Sequence, residues 1–286
     1  MNQATFEFSI ERYAMYPALP KPYSGADLLP EDFSHWVDAK GDRFCDTFSR
    51  ICFYLAERYM SHSDSSCDET VIVGTEYGNF EAMLRFQHQA LTDHKTLSAQ
   101  QFPYATTSSA STFINISRHI SGGNATLNAG ALTPALALLH GLLHIHGRER
   151  TKSHVFIGDT YFSEALDDIL KSAPTAQVSS GICYLALKEG DQFSAKIRFD
   201  ESAEQILKTL TPSARIYLDS CSREQLGKLC PPDDSHSDSP LNEHNRAFVF
   251  ADFLEGVLAL KPGQSTALLL AQQTSAASIE ISRHHE

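Results

Sequence analysis

The residues that could carry chemistry lie in one short turn, residues 128–133, between an alternating segment and an apolar one. A sharp turn from a strand into a helix presents one residue at the helix N-terminus, where backbone N–H groups stabilise an anion such as a thiolate or oxyanion. This turn contains no Cys, His, Asp or Glu, and Thr133 is its only hydroxyl. The sequence therefore predicts the framework of an anion-stabilising site without its nucleophile.

Hydrophobic periodicity predicts the elements that position this turn. Residues 108–120 carry apolar side chains at helical spacing, and Gly122 and Gly123 then end the helix because glycine adopts left-handed backbone angles at little cost. Residues 124–129 alternate apolar and polar side chains, which is typical of a strand, and residues 133–143 form an apolar helix. The unit is a strand, an elbow and a helix.

The flanking segments predict an α/β sheet protein. Short apolar strands at residues 71–74 and 155–158 alternate with helical segments, which favours a layered sheet over a helical bundle. Residues 180–188 and 194–199 alternate on either side of Gly190, and this pattern predicts a hairpin that turns at the glycine.

Two segments further along the chain carry less chemistry. Residues 231–245 are polar and rich in turn formers, which predicts a mobile loop. Cys221 lies two positions after Asp219, whose charge would raise the pKa of a thiol, so we interpret Cys221 as structural.

Composition restricts the class of protein. The 286 residues are 42% hydrophobic and 20% charged, which suits a globular core, and the net charge of −12 argues against a nucleic-acid partner. No apolar run approaches the ~20 residues of a membrane helix. The six cysteines lack CxxC spacing and the N-terminus lacks a basic flank with an apolar core, so we expect a reduced, cytoplasmic protein.

Three histidines near the end of the apolar helix are candidate metal ligands. His140 and His144 are four residues apart and share a helix face, but His146 falls on another face and no Glu follows His140. Polar residues at a helix C-terminus are the simpler interpretation. We expect neither a metal nor a cofactor.

The order of elements around the elbow resembles that of the β-ketoacyl synthases of the thiolase-like superfamily. In that family a Gly-Pro-Asn turn, a short strand and a Thr-Ala-Cys elbow lead into a helix of small residues. Aligning residues 122–124 with that turn places Ala131 at the acylated cysteine, with Gly130 as the alternative position of the elbow tip. Residues 71–78 (VIVGTEYG) resemble the family's Gly-Thr-x-x-Gly strand end, and residues 97–103 its Ser-Pro-x-x-Phe segment. The resemblance covers residues 40–190 well.

This resemblance implies a fold and a missing catalytic apparatus. The expected fold is a single thiolase-like unit with α-β-α-β-α layers, an N-terminal half of residues 1–175 and a shortened C-terminal half of residues 176–286. Active members of the family use a Cys–His–His triad. The nearest counterparts of the two histidine segments, residues 218–222 and 270–276, contain no histidine.

Members that keep the fold but lack the cysteine are chain-length factors, which pair with an active ketosynthase and line the far end of its acyl tunnel. The compact second half most resembles the synthase-like proteins of bacterial aryl polyene synthesis. The resemblance implies a heterodimer with an active ketosynthase and an acyl carrier protein as a further partner. Arg118, His119, Arg148, Arg150 and Lys152 form a basic cluster that is either a carrier-protein docking patch or ordinary solvated surface.

The resemblance also implies tunnel and interface residues on the helix before the elbow and on the strand that leads into it. In these pairs the strand is expected to add antiparallel to its equivalent in the partner. The predicted residues are Thr112, Phe113, Ile116, Asn124, Ala125, Thr126, Leu127 and Asn128.

Two other functions remain open at this point. The chain could be an independent decarboxylase or acyltransferase that acts on acyl carrier protein through the elbow without a covalent cysteine. It could also be a homodimeric scaffold that binds acyl carrier protein and has no catalytic partner.

Overall fold

A computed structural model describes most of the chain, and its strands and helices alternate as the sequence pattern predicts. The described residues are 5–19, 28–37, 44–61, 68–92, 97–147, 151–200, 202–227 and 244–285. The strands in these ranges are β1 (Thr5–Tyr16), β2 (Glu69–Gly74), β3 (Asn124–Leu127), β4 (Lys152–Asp159), β5 (Gly181–Asp200), β6 (Arg215–Leu218), β7 (Ser265–Gln272) and β8 (Ser275–Arg283).

The helices fall between these strands, and several begin where the sequence offers a capping residue. They are α1 (Phe33–Trp36), α2 (Thr47–Tyr59), α3 (Phe80–Thr92), α4 (Ser109–Ser117), α5 (Thr133–Gly147), α6 (Ser163–Ser172), α7 (Ala203–Leu207), α8 (Ser220–Leu226) and α9 (Arg246–Leu258), with a 3-10 turn at Phe102–Ala105. Across the described part of the chain, none of the helices has the length and apolarity required to cross a membrane.

The strands form one sheet in the order β3-β2-β4-β5-β8-β7-β6, with β1 also paired to β5. Strand β2 runs parallel to β3 and β4, and β6 runs parallel to β7, whereas β5 is antiparallel to β1, β4 and β8. The carboxyl ends of β2, β3 and β4 therefore meet at one edge of the sheet, where ligand sites of open α/β sheets form.

Alternating side chains on each strand separate the helices into layers. In β2, Ile72 packs in the core that contains α5 and α9, whereas Val71 and Val73 face α2 and α4 on the other side. In β7, Leu268 packs against the α5 and α9 side, while Leu269 faces α7 and α8. The sheet has two halves, β3-β2-β4 with the first part of β5, and β6-β7-β8 with the second part of β5. Helices α5 and α9 contact each other and pack between these halves, so the predicted α-β-α-β-α architecture is confirmed.

The predicted hairpin at Gly190 is wrong, because β5 is a single strand of 20 residues. Its first part pairs with β4, its second part pairs with β8, and β1 runs along both parts with a register shift between Phe8 and Ser9. Gly190 lacks the positive φ that a two-residue hairpin turn requires, and a Cβ there would lie 2.1 Å from Ser9 Oγ. The glycine permits close approach of β1, so one strand couples both halves of the sheet.

Candidate functional site

The elbow between β3 and α5 has the predicted geometry. Gly130 has a φ of +55°, the left-handed conformation that glycine adopts at least cost. The side chain of the next residue, Ala131, is buried at 5% exposure, whereas Gly130 is partly exposed. The assignment of Ala131 to the position of the family's cysteine remains a prediction, and Gly130 is the residue with the left-handed turn conformation.

The polar groups of the elbow form hydrogen bonds that stabilise its conformation. The buried Thr133 hydroxyl donates to Gly130 O at 2.7 Å and accepts from Ala129 N at 2.9 Å. Asn128 accepts from Gly130 N at 3.0 Å through Oδ1 and donates to Glu76 O at 2.9 Å through Nδ2. The only hydroxyl of the elbow is therefore a structural group.

The loop after β2 is held against the elbow by a buried carboxylate. Asp159, the last residue of β4, accepts from the Thr75 hydroxyl at 2.6 Å, from Glu76 N at 2.9 Å and from Tyr77 N at 2.7 Å. Gly78 N donates to Thr75 Oγ1 at 2.7 Å, which closes the turn. Burial and the nearby Glu76 raise the pKa of Asp159 to about 7, although these hydrogen bonds lower it in part.

This raised pKa predicts a pH-dependent contribution to stability. A carboxyl whose folded pKa exceeds its unfolded value stabilises the fold at low pH and loses that contribution as the pH rises to about 7. Each pKa unit corresponds to about 1.4 kcal/mol. We expect Asp159→Asn to remove this loss, so that its free energy of unfolding relative to wild type rises between about pH 4 and pH 7, measured by urea denaturation.

The titration of His244 makes the free energy of unfolding rise with pH over a similar range, because burial and Arg246 lower its pKa to about 4. Because wild type and Asp159→Asn both contain His244, the difference between their free energies of unfolding at each pH removes its contribution. A difference in stability that stays constant with pH would contradict the proposed titration of Asp159.

A buried guanidinium joins the two sheet halves beside the elbow. Arg246, the first residue of α9, is 8% exposed and donates to Glu76 Oε1 at 2.8 Å and to Asp219 Oδ2 at 3.4 Å. Its Nη2 also lies 3.6 Å from Cys221 Sγ. Burial alone would lower the pKa of Arg246, but Glu76, Asp219 and Cys221 raise it overall, so the group is charged.

The residues before Arg246 are ordered, although the sequence pattern assigns them to a mobile loop. Residues 231–243 of that loop lie outside the described residues. Asn245 caps α9 and donates from Nδ2 to the carbonyls of Asp159, Ser179 and Gly181 at 2.9–3.1 Å. The prediction is therefore wrong for His244 and Asn245, and an Asn directly before an apolar helix is the N-cap signal that identifies this boundary.

Residues 218–222 and 270–276, the two segments in which the family has its histidines, each place a side chain near Arg246 or Gly130. Asp219 follows β6, caps α8 by accepting from Ser222 N at 2.8 Å and binds Arg246. Gln272 ends β7, and its side chain lies beside Gly130. Sequence reasoning did not identify Glu76, Asp159, Arg246 or Gln272 as site residues.

The predicted tunnel and interface residues lie together at the β3 edge of the sheet. In the described chain β3 pairs only with β2, and α4 packs beside it. Ser111 on α4 bonds to Asn124 Oδ1 and contacts Thr126 Oγ1, both at 3.1 Å. Ala125 and Leu127 are half-buried against the core, and Asn128 is exposed.

The three predicted residues on α4 differ in exposure. Thr112 is half-buried, Phe113 is half-buried and stacked on Tyr104 with a 4.6 Å centroid separation, and Ile116 is 63% exposed. Ile116 is therefore the most exposed of the three predicted residues on the helix that packs against β3.

The basic cluster is not a uniform docking patch. The side chain of Arg118 is 4% exposed and pairs with Glu57 at 3.1 Å, and Lys152 pairs with Glu11 at 2.9 Å. Arg148 and Arg150 lie outside the described residues. Arg118 at least is a structural cation and is not available to an acidic partner.

Comparison with known proteins identifies the fold. No protein-family profile matches the sequence, and no curated protein sequence matches it. The structure is similar to the ishigamide ketosynthase/chain length factor, with a TM-score of 0.71 and 15% identity over 89% of this chain and 85% of that chain.

Two other solved structures have the same architecture. The ketosynthase AntDE in complex with its acyl carrier protein AntF aligns with a TM-score of 0.63 and 12% identity over 90% of this chain and 89% of that one. The ketosynthase ApeO in complex with its chain length factor ApeC from Xenorhabdus doucetiae aligns with a TM-score of 0.56 and 12% identity over 97% and 99%. This chain therefore has the thiolase-like ketosynthase fold, and the predicted resemblance is confirmed at the level of the fold.

Proposed function

We propose that this chain is a non-catalytic, chain-length-factor-like subunit that pairs with an active ketosynthase and shapes its acyl tunnel. The observation that carries the proposal is the elbow, which keeps its left-handed turn at Gly130 but has no nucleophilic side chain free to react. The similarity to ketosynthase/chain length factor structures supports the proposal. The assignment to aryl polyene synthesis rests on the sequence resemblance, and the acyl carrier protein remains a proposed partner.

The charge around the elbow disfavours an independent decarboxylase. Glu76, Asp159 and Asp219 are three carboxyl groups near one guanidinium, Arg246, whose donors are already engaged by protein atoms. A malonyl carboxylate is an anion and would find no unengaged cation among these groups to stabilise it. A non-catalytic role is consistent with such a site.

The β3 edge supplies the surface for the proposed partner. The carbonyls of Gly123 and Leu127 accept from β2, so the alternation of a parallel strand directs the N–H groups of Asn124 and Thr126 outward. An outward edge of unpaired donors and acceptors favours addition of a strand from another chain. Ile116 is exposed on α4, the helix that packs against β3, and adds apolar area to the proposed surface.

The first test is co-expression with an active ketosynthase from the same organism, followed by size-exclusion chromatography with mass detection. We expect a one-to-one complex that forms only on co-expression. Thr126→Pro removes an outward N–H and is expected to abolish the complex, while Thr126→Val keeps the N–H and retains it. A stable homodimer that does not bind the ketosynthase would instead favour the scaffold function.

The tunnel assignment predicts a change in product length. Phe113→Ala removes a half-buried ring from α4, and the added space should lengthen the product by about one extension unit, because one unit needs a volume of the order of one ring. Mass spectrometry of the products made by the complex measures this change. Phe80→Ala, on α3, is the matched control, and unchanged length in an intact Phe113→Ala complex would contradict the assignment.

A further inference from the structure

The space in front of the elbow is filled by a side chain from the other half of the sheet. An ideal Cβ on Gly130 would lie 2.7 Å from Gln272 Oε1 and 3.9 Å from its Cδ. Real Cβ atoms essentially never lie this close to another heavy atom, so a side chain at position 130 would require the carboxamide of Gln272 to move. The contact joins residues that are 142 positions apart in the sequence.

The position of Gln272 is fixed by the hairpin between β7 and β8. Gln272 pairs with Ser275 at the end of the ladder, and its Nε2 donates to Ser275 Oγ at 2.9 Å. Ala271 and Ala276, on the adjacent rung, have no exposed surface. Because the amide nitrogen is bonded to the hairpin, the oxygen is the end of the carboxamide that faces the elbow.

The glycine and the glutamine are complementary in shape. Gly130 adopts a left-handed φ and leaves room for the carboxamide, and the carboxamide in this position competes with any side chain at position 130 for the same space. A covalent acyl group on the elbow needs such a side chain together with space for the thioester beyond it. The missing nucleophile and the carboxamide beside Gly130, the alternative position of the elbow tip, are therefore two separate features of this chain.

We infer that Gln272 is a specificity-determining residue that closes the elbow to acyl groups, so that a thiol introduced at position 130 would remain shielded while Gln272 is present. The inference rests on the proposed function only in taking the elbow as the place where an active ketosynthase carries its acyl group. The absence of a cysteine at the elbow does not by itself imply this role for Gln272.

The test measures thiol alkylation in the full chain. Cys67, Cys221 and Cys230 are first replaced by serine, while Cys45, Cys52 and Cys183 are buried and stay in place. Gly130→Cys is then compared with Gly130→Cys combined with Gln272→Ala, using iodoacetamide and N-octyl iodoacetamide as probes and intact mass as the readout. Gly123→Cys, with and without Gln272→Ala, is the control, because Gly123 also has a positive φ but no atom within 4 Å of its Cβ position.

We expect Gln272→Ala to accelerate alkylation of the thiol introduced at position 130 by at least about tenfold, with a larger factor for the octyl probe. A tenfold change in rate corresponds to about 1.4 kcal/mol in the barrier. Alkylation of the thiol introduced at position 123 should change by less than about twofold. Equal alkylation rates of the Gly130→Cys variant with and without Gln272 would overturn the inference. The experiment does not use the partner ketosynthase, so its outcome is independent of whether the heterodimer forms.

A second measurement covers the case in which Gly130→Cys does not fold. Gly130→Ala is expected to lower the melting temperature less when combined with Gln272→Ala than in the wild-type background, by about 2 °C or more. Additive effects of the two substitutions would show that the two side chains do not compete for the same space, and would overturn the inference.

Discussion

Replacing Gly158 with alanine is expected to reduce the free energy of unfolding by more than about 4 kcal/mol, enough to prevent accumulation of folded protein. Gly158 has a φ of +146°, and a Cβ there would lie 2.2 Å from Gly181 O and 2.9 Å from Ile182 Cα. Both contacts are to the backbone of β5, the strand that couples the two sheet halves, so neither can be relieved by rotation of a side chain.

The consequence of this substitution extends to the site, because Asp159 follows Gly158 directly. Any shift of β4 away from β5 would displace the carboxylate that holds the loop after β2. Soluble yield, circular dichroism and urea denaturation measure the expected loss.

Gly123→Ala is the matched control for backbone strain. Gly123 has a φ of +109°, but nothing lies within 4 Å of its Cβ position. The substitution should therefore cost only the strain of the backbone conformation, about 1–3 kcal/mol. Similar losses for the two variants would show that the close approach of β4 to β5 is not the cause.

Arg246→Met is expected to destabilise the chain by about 3–5 kcal/mol, because it leaves buried carboxylates without their cation. The side chain of Asp219 is 2% exposed and that of Glu76 is 19% exposed, so water compensates Glu76 only in part. Methionine keeps most of the apolar volume of the arginine stem, which restricts the effect to the loss of charge and hydrogen bonds. Urea denaturation at neutral pH measures the change.

The charge argument has its own control. Combining Arg246→Met with Glu76→Gln and Asp219→Asn removes the unpaired charges and should recover more than half of the loss. Burial raises the pKa of Glu76 even with Arg246 present, so the loss in Arg246→Met should also shrink as the pH falls and Glu76 takes up a proton. A loss that the added substitutions do not reduce would point to packing rather than charge.

The sequence pattern predicts those parts of the fold that depend on neighbouring residues. Strand β3, the elbow and α5 follow from alternation, a glycine and an apolar run within about two dozen residues, and each lies at its predicted place. The hairpin prediction for β5 failed because alternation does not report whether a strand turns back at a glycine. Only the tertiary structure, in which β1 pairs with both parts of β5 (residues 182–188 and 193–196), decides that question.

The candidate site also has some features that the sequence alone predicts and others that depend on the tertiary structure. The absence of a nucleophile at the elbow and the likeness to ketosynthases are properties of residue identity, so the sequence alone determines them. The ion pairs of Arg246 with Glu76 and Asp219, and the contact of Gln272 with Gly130, join residues that are far apart in the chain. Sheet order and the packing of α9 between the halves bring them together, and no local pattern encodes such long-range pairs. The sequence therefore determined that the elbow is without a nucleophile, and only the tertiary structure decided what occupies and surrounds it.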